Sequence, residues 1–160
     1  MLARDIMNKY VLSCDQDTTM HELIRLFVKH RVSAIPVVGE DNRLEGIVSE
    51  GDILYKQASP QVPSYVNVLG ASLYYSGVHK YRETFQKLLA TRAGDMMTAA
   101  VKYVDDDTPA DVVTELMIEE HLKNVPVVKD GRLVGMISRW DMLEVIAKEE
   151  YHIQPGQIEE

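Results

Sequence analysis

Gly46-Ile47-Val48-Ser49-Glu50-Gly51-Asp52, followed by Ile53-Leu54, recurs as Gly135-Met136-Ile137-Ser138-Arg139-Trp140-Asp141, followed by Met142-Leu143. Each copy opens on glycine and runs through two apolar residues suited to a strand. It then reaches a serine three positions before an aspartate, where helical apolar spacing begins. The spacing predicts a strand turning into a helix N-terminus, twice. Such a corner carries unpaired N–H groups and partial positive charge, and it accepts phosphate or carboxylate. Ser-x-x-Asp is also close to a capping box, in which the serine caps the helix and the acid reaches back. The two roles are compatible, because a carboxylate has two acceptor oxygens and can also take the hydroxyls of a ribose.

Outward from this corner the likeness continues. Residues 3–56 match residues 93–146. Asp5-Ile6-Met7 answers Asp95-Met96-Met97, Asp15-Gln16-Asp17-Thr18 answers Asp105-Asp106-Asp107-Thr108, and Pro36-Val37-Val38 answers Pro126-Val127-Val128. Each copy predicts a short strand (Val11–Ser13 or Val101–Val104), an acidic turn, and a helix capped by Thr18 or Thr108 with Pro109 at the first helical position. Met20, Leu23, Ile24, Phe27 and Val28 give the first helix a buried stripe; Ala110, Val113, Met117 and Ile118 repeat it. Two strands follow, Ala34–Val38 then Leu44–Ser49, or Val125–Val128 then Leu133–Ser138, the second pair joined by the hairpin signal Asp130-Gly131. Pro36 and Pro126 are expected at strand starts or edges, since proline donates nothing to a ladder. A last helix closes the unit, so the order is β-α-β-β-α, twice, an α/β (α+β) chain with mixed sheets.

Asp-Ile-Met near the start, an apolar-Pro-Val-Val strand, and Gly-apolar-apolar-Ser-x-x-Asp before the last helix, in this order and duplicated, resemble a tandem pair of cystathionine-β-synthase (CBS) domains, a Bateman module. The resemblance covers both repeats. It implies two units packed about a pseudo-twofold axis with two clefts between them, and adenine nucleotides or S-adenosylmethionine as the ligands of those clefts.

The resemblance places the ribose contact on Asp52 and Asp141, with Ser49 and Ser138 nearby. It lays the adenine against the chain around each proline, Ser33-Ala34-Ile35-Pro36 and Lys123-Asn124-Val125-Pro126. Residues after each early methionine supply a further wall, Asn8 to Val11 assigned to the first cleft and Thr98 to Val101 to the second. Core packing is an equal role for the apolar members. Charge separates the copies: between Ser and Asp the first has Glu50-Gly51 and the second Arg139-Trp140, with Lys123 before its proline. Ammonium and guanidinium groups favour phosphate and a carboxylate opposes it. The second cleft is therefore the expected phosphate site.

Residues 1–56 and 93–150 are expected to form the repeats of one module, 57–92 a connector with a helix, and 151–160 a frayed tail. The connector helix is expected from Val78 to Arg92, carrying Tyr81 and Phe85, with Tyr74 and Tyr75 before it. It either covers an exposed face of the module or serves to dock a partner or close a pocket.

The 160 residues carry a formal charge of -8 and 46% hydrophobic residues. That is ordinary for a globular chain and opposes non-specific nucleic-acid binding, which needs a basic surface. Cys14 is the only cysteine and forms no internal disulfide. No apolar run approaches the ~20 residues of a membrane span, and no leader is apparent, so the expected place is the cytoplasm. His21, His30, His79, His121 and His152 show no metal-ligand spacing, and no nucleophile–base signature appears, so no catalytic role or catalytic cofactor is expected. The expected function is a regulatory sensor of an adenine nucleotide or other adenosyl metabolite, acting as a homodimer on an effector protein. The alternative is a dimerisation scaffold with vestigial clefts.

Overall fold

The doubled unit is present, with its leaders exchanged between the halves. In the computed structural model, residues 1–57, 67–68, 71–72 and 92–152 are described. A leader helix α1 (Ala3–Ile6) precedes α2 (Met20–His30), β1 (Ala34–Val38), β2 (Leu44–Ser49) and α3 (Glu50–Gln57). Two short paired strands follow, β3 (Asn67–Val68) and β4 (Ala71–Ser72). The second unit has the leader α4 (Ala93–Met96), then β5 (Val104–Asp105), α5 (Ala110–Glu119), β6 (Asn124–Lys129), β7 (Arg132–Ser138) and α6 (Arg139–Glu149). The expected connector helix and most of the tail lie outside the described residues.

β1 pairs antiparallel with β2, and β6 with β7, in matching registers: Pro36 faces Ile47 and Pro126 faces Met136. Both ladders slip by one residue at the same place, after Val37–Gly46 and after Val127–Gly135. Asp130 and Gly131 both have positive φ, 51° and 76°, the backbone of a tight hairpin turn. Each proline is the third residue of its strand and is buried; Pro36 lies in an edge strand, one of the two places expected, whereas Pro126 lies in β6, the middle strand of its sheet. β6 tolerates it because its parallel neighbour β5 begins only opposite Val127, so the ladder on that side starts one residue later.

The strand expected at Val11–Ser13 shrinks to a bridge between Cys14 and Val37, and the one at Val101–Val104 becomes Val104–Asp105. The residues before them cross to the other repeat. The helix caps also fall one position later. Thr18 shares hydrogen bonds with Asp15 inside the acidic turn, leaving Thr19 to cap α2 in a box with Glu22. Thr19 donates both its N–H and its hydroxyl to the Glu22 carboxylate, which holds the pKa of Glu22 below the usual value. At the second helix Pro109 is the N-cap and helical geometry starts at Ala110.

Each core is completed by the leader of the other repeat. Leu23, Phe27, Ile35, Val37 and Val48 of the first unit bury Ala93 and Met96 of the second leader. Val113, Met117, Val125, Val127 and Ile137 bury Ala3, with Ile6 and Met7 packed beside it. The backbone holds the exchange: Ala93 and Gly94 donate to the Thr18 and Gln16 carbonyls, Ala3 and Arg4 to those of Thr108 and Asp106. The glycines that open the duplicated corner explain its register. A Cβ on Gly46 would lie 3.1 Å from Met97 Cβ and closer still to its sulfur, and one on Gly135 2.8 Å from Met7 Cβ. Only glycine lets the exchanged methionine lie flat on the strand. Burial inside the first core raises the Cys14 thiol pKa to about 11.

Gly135→Ala should therefore destabilise the chain by about 1–3 kcal/mol through overpacking, read as a lower urea midpoint at unchanged slope. A fragment ending at residue 57 lacks Ala93 and Met96 and should show no cooperative unfolding transition; a sharp transition in that fragment would contradict the exchange.

Candidate functional site

The exchange decides what faces each Ser-x-x-Asp corner. Past Met97, Thr98 leaves the leader and bridges to Ile47 on β2, with N–H to carbonyl bonds of 2.9 and 3.1 Å in the two directions. Past Met7, Asn8 bridges to Met136 on β7 in the same manner, at 2.9 and 3.0 Å. Thr98, Ala100 and Val101 therefore wall the Asp52 cleft, and Asn8 lies beside the strand leading to Asp141. This corrects the expected grouping, which kept each wall with its own repeat. Sequence likeness between repeats carries no record of which half a leader crosses to.

The Asp52 side encloses a cleft of about 540 Å³. Ser33, Ala34, Ser49, Gly51 and Asp52, the residues assigned to the first cleft, line it from the first repeat. Thr98, Val101, Lys123, Asn124 and Pro126 line it too, although they were expected at the second. Ile47, Glu50, Leu54, Ala100, Lys102, His121 and Leu122 complete the lining; Lys102 and Leu122 were not singled out from the sequence. His121 reads as one more polar residue at the end of α5. What sets it apart is a left-handed backbone, φ 54°, that turns the chain toward β6.

Ile35 and Val125 are fully buried in the two cores and serve packing. Pro36 is buried in β1. The floor at the pseudo-twofold axis is polar: Asn124 Nδ2 donates to Ser33 Oγ at 2.7 Å, joining the two strand starts.

Both aspartates close true capping boxes. Ser49 donates its N–H at 2.8 Å and its hydroxyl at 3.0 Å to Asp52 Oδ2, and Asp52 N–H returns to Ser49 Oγ at 3.3 Å. Ser138 and Asp141 repeat the set at 2.6, 2.6 and 3.2 Å. In each box Oδ2 is the cap acceptor, so the carboxylate is locked on the corner, half-buried, with its position fixed by the helix start.

The cations do not sit where charge counting put them. Arg139 Nε donates to the Leu122 carbonyl at 2.7 Å, and Arg139 N–H to that of Lys123. Its Nε is thus held against the turn that follows α5. Lys123 Nζ lies 3.0 Å from Glu50 Oε1 across the Asp52 cleft. Trp140 is 75% exposed at the start of α6. Two ammonium groups, those of Lys102 and Lys123, line the Asp52 cleft. Among the described residues no three His, Cys, Asp or Glu side chains gather as a metal centre would need, and no helix is long and apolar enough to cross a membrane.

The CBS domain family model matches residues 3–59 and 93–148. An uncharacterised protein of Methanocaldococcus jannaschii, MJ1426, is 30% identical over 154 residues, 91% of either chain. Among solved structures, CBSX2 in complex with AMP superposes with a TM-score of 0.77 at 23% identity, covering 92% of this chain and 97% of that one. The CBS domain pair of protein MJ0100, in complex with 5′-methylthioadenosine and S-adenosyl-L-methionine, gives 0.67 at 21% identity, covering 94% and 98%. These last two likenesses concern the fold.

Removing the cap serine separates the box from any ligand role. Ser138→Ala should cost about 1 kcal/mol of stability, measured by urea unfolding followed through Trp140 emission. No loss would mean that the hydroxyl is not anchoring the corner.

Proposed function

The chain belongs to the CBS-domain family, and on that premise we propose that it is a regulatory module sensing an adenosyl ligand in the cleft that carries Asp52. The observation behind this is the cleft itself: a capped aspartate at a helix start, polar strand starts at the axis, and an apolar wall contributed by the other repeat. A carboxylate held at this corner is placed to accept ribose hydroxyls, and the backbone of Ser33-Ala34 meets a base edge while Val101 covers its face. The fold relatives bound to AMP, 5′-methylthioadenosine and S-adenosylmethionine support the same ligand class. The Asp141 corner is the second site of this module.

Sensing requires that the ligand bind one conformation better than another. The output passes to an effector protein, and the module itself does no chemistry. Pairing as a homodimer in the cytoplasm belongs to the same proposal. Its support is the outer helix faces, where Val28 and Ile118, at matching positions of α2 and α5, are 73% and 66% exposed.

The test is calorimetric titration of the full chain with adenosine. Saturable binding is expected, and Asp52→Ala should weaken it by about 1.5–3 kcal/mol, typical of hydrogen bonds to a charged group. Binding lost in Asp141→Ala but kept in Asp52→Ala would assign the other corner. No saturable binding of adenosine, AMP or S-adenosylmethionine would leave a scaffold with vestigial clefts.

A further inference from the structure

The Asp52 cleft holds more charge than ribose recognition needs. Lys102, His121 and Lys123 line it from the second repeat, and Glu50 lines it from the first. Each lysine is held by a glutamate: Lys102 Nζ lies 3.0 Å from Glu120 Oε1, and Lys123 Nζ 3.0 Å from Glu50 Oε1. Glu50 lines the cleft and Glu120 does not. Both lysine side chains are more than half exposed, 55% and 68%, so these pairs are weak and exchangeable.

We infer that this cleft is tuned to a nucleoside monophosphate, with Lys123 the residue that selects for phosphate and Glu50 the residue that limits the ligand to one. This rests on the adenosyl reading above. A phosphate monoester carries a charge of about -1.5 to -2 near neutral pH, which two ammonium groups match. Its three oxygens are stronger acceptors than one carboxylate, so Lys123 leaves Glu50 for it. Glu50 is then unneutralised on the first turn of α3, two residues before the ribose-binding Asp52. A second or third phosphate adds negative charge beside that carboxylate when both lysines are already matched, and the repulsion offsets the gain. An uncharged adenosyl ligand leaves the Lys123–Glu50 pair intact and draws nothing from the lysines. At the other corner Arg139 stands in the place of Glu50, the neutral Ser33 in that of Lys123 and Arg31 in that of His121. That corner therefore lacks the carboxylate that limits the ligand in the Asp52 cleft.

The experiment is calorimetric titration of the full chain with adenosine, AMP, ADP and ATP, without magnesium, in native protein, Glu50→Gln and Lys123→Gln. Native protein should bind AMP more tightly than adenosine, ADP or ATP. Glu50→Gln should raise ATP affinity relative to AMP by about three- to tenfold, a modest change because the carboxylate is solvent-exposed. Lys123→Gln should bring AMP down toward adenosine. An unchanged ATP-to-AMP ratio in Glu50→Gln, or native AMP binding no tighter than adenosine, overturns the inference. If adenosine binds through Asp52 while phosphate makes no difference, this inference falls and the proposed function stands. If no adenosine compound binds, both fall.

Discussion

Everything in the module depends on a methionine lying across a glycine of the other repeat. Met97 rests on Gly46 and Met7 on Gly135, each at a point where any Cβ would collide. The contact fixes the register of the exchanged leader, and the backbone bridges one residue later, Thr98 to Ile47 and Asn8 to Met136, follow from it. The same contact places Ala93 and Met96 inside one core, and Ala3 inside the other. Burying those small and flexible apolar residues stabilises both halves together, so neither half is a complete folding unit. Stability and site assembly are thereby one event: the leader that finishes a core also supplies the wall of a cleft.

This coupling has a consequence for ligand response. Residues 122–124 line the Asp52 cleft, and Leu122 and Lys123 also anchor the start of α6 at the other corner. The Lys123 side chain reaches Glu50 in the Asp52 cleft, while its carbonyl accepts the N–H of Arg139 at the start of α6. Ser33 stands in the mirror position, its carbonyl accepting the Glu50 N–H and its hydroxyl accepting from Asn124. A ligand pulling on Lys123 therefore acts on a segment that also anchors the other corner. Such shared anchors are the physical material from which linkage between two sites is made.

The secondary structure was legible because it is local. Ser-x-x-Asp before an apolar helical stripe forms a cap wherever it folds, and Asp130-Gly131 forms a hairpin turn for backbone reasons alone. The order of elements and their duplication carried the family. The leader crossing was not legible. Asp5-Ile6-Met7 looks the same whether it serves its own repeat or the other, and only packing on Gly135 decides. Charge counting along the chain does not show which cleft a side chain reaches, for the same reason. Arg139 adjoins Asp141 in sequence, yet its Nε donates to the Leu122 carbonyl, and Lys123 turns to Glu50 of the opposite repeat. Val28 and Ile118 fit the apolar periodicity of their helices, yet point outward, because a stripe wider than one contact face cannot be buried by one module.

The central claim is that the Asp52 cleft is assembled from both repeats through the exchanged leader. Amide chemical-shift mapping during an adenosine titration tests it directly. The account predicts that the amides of residues 98–102 and 121–124 shift together with those of 33–34 and 49–52, along one binding curve. Shifts at 49–52 accompanied by 8–11, with 98–102 unmoved, would contradict it.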